Sequence, residues 1–117
     1  MALLALATAA NAQSAAELFA DGNRLDELYW AALLRYEQAS DAGLDTPLLH
    51  YNAGVAHYRA KQYLRARQAF QRAAAEPSLV HVANYNLGLT AMASGDRDAA
   101  IGWFRQVEAQ TSRPQLA

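Results

Sequence analysis

Histidines and asparagines are the residues of this chain whose types and spacing bear on chemistry. His50 and His57 stand seven residues apart, which places them on one face of a helix. Imidazoles so placed can share a metal ion if His81 or a carboxylate completes the set. The competing reading is structural: two half-buried histidines, each satisfied by a hydrogen bond. Asn52 and Asn86 carry amides that both donate and accept, which suits them to hold an extended peptide backbone. A packing hydrogen bond inside the fold would use the same groups. Ser, His and Asp show no nucleophile arrangement, and no Gly-rich loop follows a strand, because no segment alternates as a strand does. The expectation is a protein without catalysis, cofactor or metal.

Charge narrows the partners. The 117 residues imply one domain, and 10 Lys and Arg against 11 Asp and Glu leave a net charge of −1. That balance predicts no basic face for nucleic acid or anionic lipid. The local excess of base at Arg59, Lys61, Arg65, Arg67 and Arg72 reads as solvated surface, or alternatively as a docking patch for an acidic partner. Without cysteine there is neither a disulfide nor a lipoprotein acylation site.

Residues 1–12, MALLALATAANA, are uncharged, rich in Ala and Leu, and end in Ala10-Asn11-Ala12. The small-x-small ending predicts a signal peptide cut between Ala12 and Gln13 and a periplasmic protein. Such a segment is too short to remain as a membrane span. A basic n-region is missing, so an incomplete start, or an ordinary Ala-rich helix and a cytoplasmic location, is the alternative.

The elements that must position these groups are written twice. Leu48 to Ala74 recurs 34 residues later as Val82 to Glu108, pairing Tyr51 with Tyr85, Asn52 with Asn86, Gly54 with Gly88, Ala66 with Ala100 and Phe70 with Phe104. Stepping back by the same period reaches Ala32, Tyr36 and Ala39. A fixed period of this length marks a solenoid, whose units bury their apolar faces against their neighbours. Gly54 and Gly88 cost about 0.5–1 kcal/mol each inside a helix, so their recurrence implies close helix contact, with Phe70 and Phe104 behind. Predicted helices cover 47–60, 63–75, 80–93 and 97–109. Thr46 with Pro47, Ser78, and Asp96 in the turn Ser94-Gly95-Asp96 are the expected caps. Ser14-Ala-Ala-Glu17 reads as a capping box opening an earlier helix. Asp21-Gly22-Asn23 then predicts a break or a shortened turn before a helix over about Tyr29 to Ala39 that ends near Gly43.

Leu87-Gly88, Ala100 and Phe104, with Gly54, Ala66, Phe70, Ala73 and Pro77, resemble the tetratricopeptide repeat, a 34-residue pair of antiparallel helices. The chain departs from its pattern at His50, Asn84, His57 and Ala91, which stand where the family carries aromatics. Pro77 comes one residue early. The resemblance implies an all-α, right-handed solenoid of about three units. A degenerate first unit covers 13–44, full units cover 47–78 and 81–110, and a further helix starts within 111–117 of a truncated protein. Trp30 and Trp103, on second helices, are expected to pack between repeats.

In this family the first helices line a concave groove. The matching positions are Leu48, Tyr51, Asn52, Val55, Tyr58 and Arg59, then Val82, Tyr85, Asn86, Leu89, Met92 and Ala93. Tyr51 and Tyr85 replace the lysine, and Val55 and Leu89 the asparagine, with which some relatives grip a C-terminal carboxylate. That mode is not expected. The resemblance implies a non-catalytic scaffold that binds a peptide or protein segment in the groove. The alternative is a spacer or assembly platform whose groove packs against a downstream domain of the same protein.

Overall fold

The computed structural model describes residues 14–111, with the backbone alone for 15–26. Those residues form five helices and no strand: α1 (Ala15–Asp41), α2 (Pro47–Arg59), α3 (Tyr63–Ala73), α4 (Val80–Ala93) and α5 (Arg97–Thr111). Each helix packs against the next, and α2 also touches α4. The expected signal segment, its cleavage point and a helix beginning beyond Thr111 lie outside the described residues, as does the Glu17 half of the capping box. No helix of the described residues is long and apolar enough to cross a membrane.

Helix starts follow local chemistry at two of three expected caps. Thr46 is extended, and its Oγ1 accepts from Leu49 N–H at 3.2 Å, with Pro47 leading α2. Asp96 Oδ1 accepts from Ala99 N–H at 3.1 Å at the start of α5. Ser78 does not cap α4. Its hydroxyl donates to Glu76 at 3.4 Å, and the N-cap position falls to Leu79, which has no oxygen to offer.

The ends of α1, α2 and α4 share one device. Gly43, Lys61 and Gly95 have φ of 99°, 63° and 88°. In each case the amide of that residue donates to the carbonyl three back, and the next amide to the carbonyl five back: Gly43 to Ser40 and Leu44 to Ala39, Lys61 to Tyr58 and Gln62 to His57, Gly95 to Met92 and Asp96 to Ala91. These are Schellman ends, which satisfy the last carbonyls and require a left-handed residue. Lys61 and Gly95 stand 34 positions apart, so the period extends to backbone conformation. Lys61 holds that conformation at a cost glycine avoids.

The break expected at Asp21-Gly22-Asn23 is absent, because α1 runs through it. One glycine inside a helix costs about 1 kcal/mol, whereas a break strands up to four amides and four carbonyls. Flanked by Ala, Leu and Glu, the turn-favouring triplet is overruled. Ala15–Asp41 is therefore one long helix, where a helix pair was expected within 13–44.

Between α2 and α3, and between α4 and α5, contacts run in reverse order. Tyr51 meets Phe70 and Tyr58 meets Tyr63, while Asn84 meets Gln106 and Gly88 meets Phe104. Partner numbers fall as helix numbers rise. A Cβ on Gly54 would lie 2.7 Å from Cδ1 of Phe70, and one on Gly88 would lie 2.7 Å from Cδ1 of Phe104 and closer still to Cε1. Ala66 and Phe70 of α3 and Leu87 of α4 form the buried cluster, with Tyr51, Val55, Tyr58 and Trp103 packed on it.

Two substitutions read out this packing. Gly88→Ala should destabilise the protein by about 1–3 kcal/mol through overpacking, whereas Gly102→Ala, with nothing within 4 Å of a new Cβ, should stabilise it by about 0.5–1 kcal/mol. Denaturant titrations that moved both midpoints the same way would reject the close contact at Gly88. Lys61→Gly should gain roughly 0.5–1 kcal/mol, as relief of the left-handed strain exceeds the entropy that glycine adds to the unfolded chain. A fall in the calorimetric midpoint would refute that balance.

Candidate binding surface

The expected stripe divides by burial. Leu48, Asn52, Arg59, Val82, Tyr85, Met92 and Ala93 are exposed, whereas Tyr51, Val55, Tyr58, Asn86 and Leu89 are half-buried. Leu48 and Met92 expose 56% and 60% of their surface and are the most open apolar residues of the stripe. Met92 also lines a cleft of about 480 Å³ with Ile101 and Phe104.

Tyr51 is less available than the sequence implied. Its ring tilts 60° against Phe70 at 5.9 Å, and Val55 and Tyr58 rest on the same core. Tyr85 repeats the arrangement on Phe104 at 5.9 Å and 53°, yet leaves 48% of its surface open. Tilted aromatic pairs add about 0.5–1.5 kcal/mol to their burial, so both tyrosines hold their hairpins closed while lying on the stripe.

The two asparagines part company. Asn86 Nδ2 donates to Val82 O at 2.8 Å and to Tyr51 Oη at 3.4 Å. The second bond crosses from α4 to α2 and links one unit of the period to the other. Asn86 therefore serves packing, whereas Asn52 stays exposed. Asn84, buried at the position His50 occupies one period earlier, donates to Gln106 Oε1 at 3.5 Å.

Both α2 histidines are partly buried and bonded. His50 Nε2 donates to Asp45 Oδ1 at 2.5 Å, and His57 Nδ1 donates to Gln62 Oε1 at 2.9 Å. Each is drawn to a residue beyond its own end of α2, so they do not converge, and His81 is exposed on α4. No three His, Cys, Asp or Glu of the described residues gather at a common point. Arg59, Lys61, Arg65, Arg67 and Arg72 are all exposed, as a solvated face would be. Of the tryptophans, Trp103 packs on the core, whereas Trp30 is 50% exposed and does not fill the space expected of it.

Periodicity also organises two clefts that single-residue reading missed. One, of about 370 Å³, includes Trp30, Glu37, His57, Gln62 and Arg65. The other, of about 350 Å³, includes Leu64, Gln71, Ala91, Asp96 and Ala99, each 34 positions on. The signal was the period itself, applied to positions that bear no motif.

No protein-family model matches this chain, and no curated protein or solved structure matches it.

The cross-unit bond has a measurable consequence. Tyr51→Phe keeps the ring on Phe70 and removes only the hydroxyl, so it should cost about 0.5–1.5 kcal/mol. Tyr51→Ala should cost clearly more, since it also removes the ring. Equal losses in chemical denaturation would show that the ring contributes nothing.

Proposed function

We propose that this chain is a non-catalytic recognition module of the tetratricopeptide type, in which antiparallel helix pairs stack as a right-handed solenoid and first helices offer a peptide-binding groove. The observation that carries the reading is the bond between Asn86 and Tyr51, which sets the equivalent faces of α2 and α4 side by side. That juxtaposition turns two single-helix stripes into one surface. Leu48, Tyr85 and Met92 are its exposed apolar residues, Asn52 supplies an open amide, and Arg59 supplies charge. A partly apolar peptide segment fits this mixture, with rigid side chains as anchors and Asn52 addressing the backbone. Export to the periplasm after cleavage between Ala12 and Gln13 belongs to the same proposal, resting on Ala10-Asn11-Ala12 alone.

A second reading is favoured by one observation. Tyr51, Val55 and Tyr58 already pack on the core, which suits a spacer whose first helices are committed to stability and whose groove meets another part of the same protein.

Selection of a random peptide display library on the protein separates the two. Under the recognition reading, enriched peptides bind, lose at least tenfold in affinity with Leu48→Asp plus Met92→Asp, and keep it with Arg65→Glu plus Arg67→Glu. No enrichment, or loss with the arginine pair alone, rejects the groove.

A further inference from the structure

Two arginines and two histidines line one cleft between α2 and α3. Arg65, Gln68 and Arg72 share a face of α3, and His50 and His57 share a face of α2. The contacts Tyr58 with Tyr63 and Tyr51 with Phe70 bring His57 about level with Arg65, and His50 about level with Arg72. Asp45 and Gln62 hold the two imidazoles in place. The floor between the rows is small, Ala53 and Ala69, and the cleft measures about 410 Å³. No carboxylate among the described residues lies within ion-pair distance of either guanidinium. Glu37 of α1 lines the adjoining cleft with Arg65 but does not pair with it.

The period shows that packing does not require this composition. In the next unit, 34 positions on, His57, Arg65, Gln68 and Arg72 become Ala91, Ala99, Gly102 and Gln106, and the floor alanines become Leu87 and Trp103. There Leu87 is in the core with Trp103 packed on it, and Gln106 accepts from Asn84, the counterpart of His50. One face is filled and neutral, whereas its counterpart is hollow and cationic. In a chain of net charge −1, that difference points to a ligand.

We propose that this cleft binds an extended acidic peptide segment, with Arg65 and Arg72 each pairing one of two carboxylates and Gln68 holding the backbone between them. Guanidinium forks match carboxylates, and a side-chain amide donates and accepts as a peptide unit does. Seven residues of helix set the two cations about 10 Å apart. At that separation they do not converge on one oxyanion, so a single phosphate reaches only one, whereas a chain bearing two acids reaches both. A helix 10–12 Å across would need more than about 800 Å³ over this length, so the segment that enters is extended. In a polyproline-type chain, residues three apart share a face about 9 Å apart, which matches the arginines. At the Arg65 end, α3 has no side-chain cap on its first amides, and its dipole adds to the attraction. The cleft shares no residue with Leu48, Asn52, Tyr85 and Met92, so it stands or falls independently of the groove.

The test uses the full chain and fluorescent proline-rich peptides, read by anisotropy at low salt. A peptide with two glutamates three residues apart should bind about tenfold or more tighter than one with a single glutamate, and clearly tighter than one with two adjacent glutamates. Arg65→Gln plus Arg72→Gln should weaken it by about tenfold or more. Arg59→Gln plus Arg67→Gln removes the same charge away from the cleft, and should leave affinity within about twofold. Absence of binding, indifference to glutamate spacing, or equal loss from both arginine pairs overturns the site. Displacement by tripolyphosphate at lower concentration than by unlabelled peptide assigns the cleft to phosphate and overturns the peptide. The spacing comparison is made on the unaltered chain, so it decides the matter even where a variant loses its fold.

Discussion

Everything in this structure depends on how closely a phenylalanine ring approaches the backbone at Gly54 and Gly88. A phenylalanine ring lies where a Cβ would otherwise be, so each helix pair is held by a contact that admits one residue type. Phe70 is thereby withdrawn from solvent altogether, and Leu87 of the next helix completes the cluster. Interiors packed at crystal-like density do not absorb an extra methyl without cost. The glycine is poor for the helix it sits in, and the two helices gain more from the close fit than one loses.

That fit also constrains what the surface can offer. Tyr51 and Tyr85 lie over the same rings, so the aromatic residues of the proposed groove are also part of what holds the pairs together. The residues of the stripe that the core does not claim are chiefly Leu48, Met92 and Asn52, with the open part of Tyr85. Asn86 illustrates the division. Its amide spends itself on Val82 and Tyr51 and joins the units, while Asn52, one period earlier, is exposed. One sequence position, repeated, sits in two environments: Asn86 has Tyr51 of α2 within reach, whereas Asn52 is exposed.

The same asymmetry accounts for α1. A repeat unit cannot bury its apolar face alone, and α1 continues as helix through Glu27, where the equivalent Lys61 and Gly95 turn the chain. Ala32, Tyr36 and Ala39 are the right types in the right register, yet they stay half-covered where Ala66, Phe70 and Ala73 are sealed. Trp30 is left similarly short of neighbours.

The sequence by itself determined the period, the four helices from Pro47 onward, the caps at Thr46 and Asp96 and the pairing of Gly with Phe, because each rests on local geometry or on a spacing written twice. It placed both histidines in bonded, half-buried positions without naming Asp45 or Gln62, since those partners lie past the helix ends. Tertiary structure decided the rest. Asp21-Gly22-Asn23 carries turn residues, but the cost of stranding backbone groups outweighs one glycine, and α1 stays whole. Ser78 is a good cap by type, and the chain after Pro77 turns it toward Glu76 instead. Whether a stripe residue faces solvent or core was set by which neighbouring helix lies beside it, and a 34-residue period specifies the positions without specifying the neighbours.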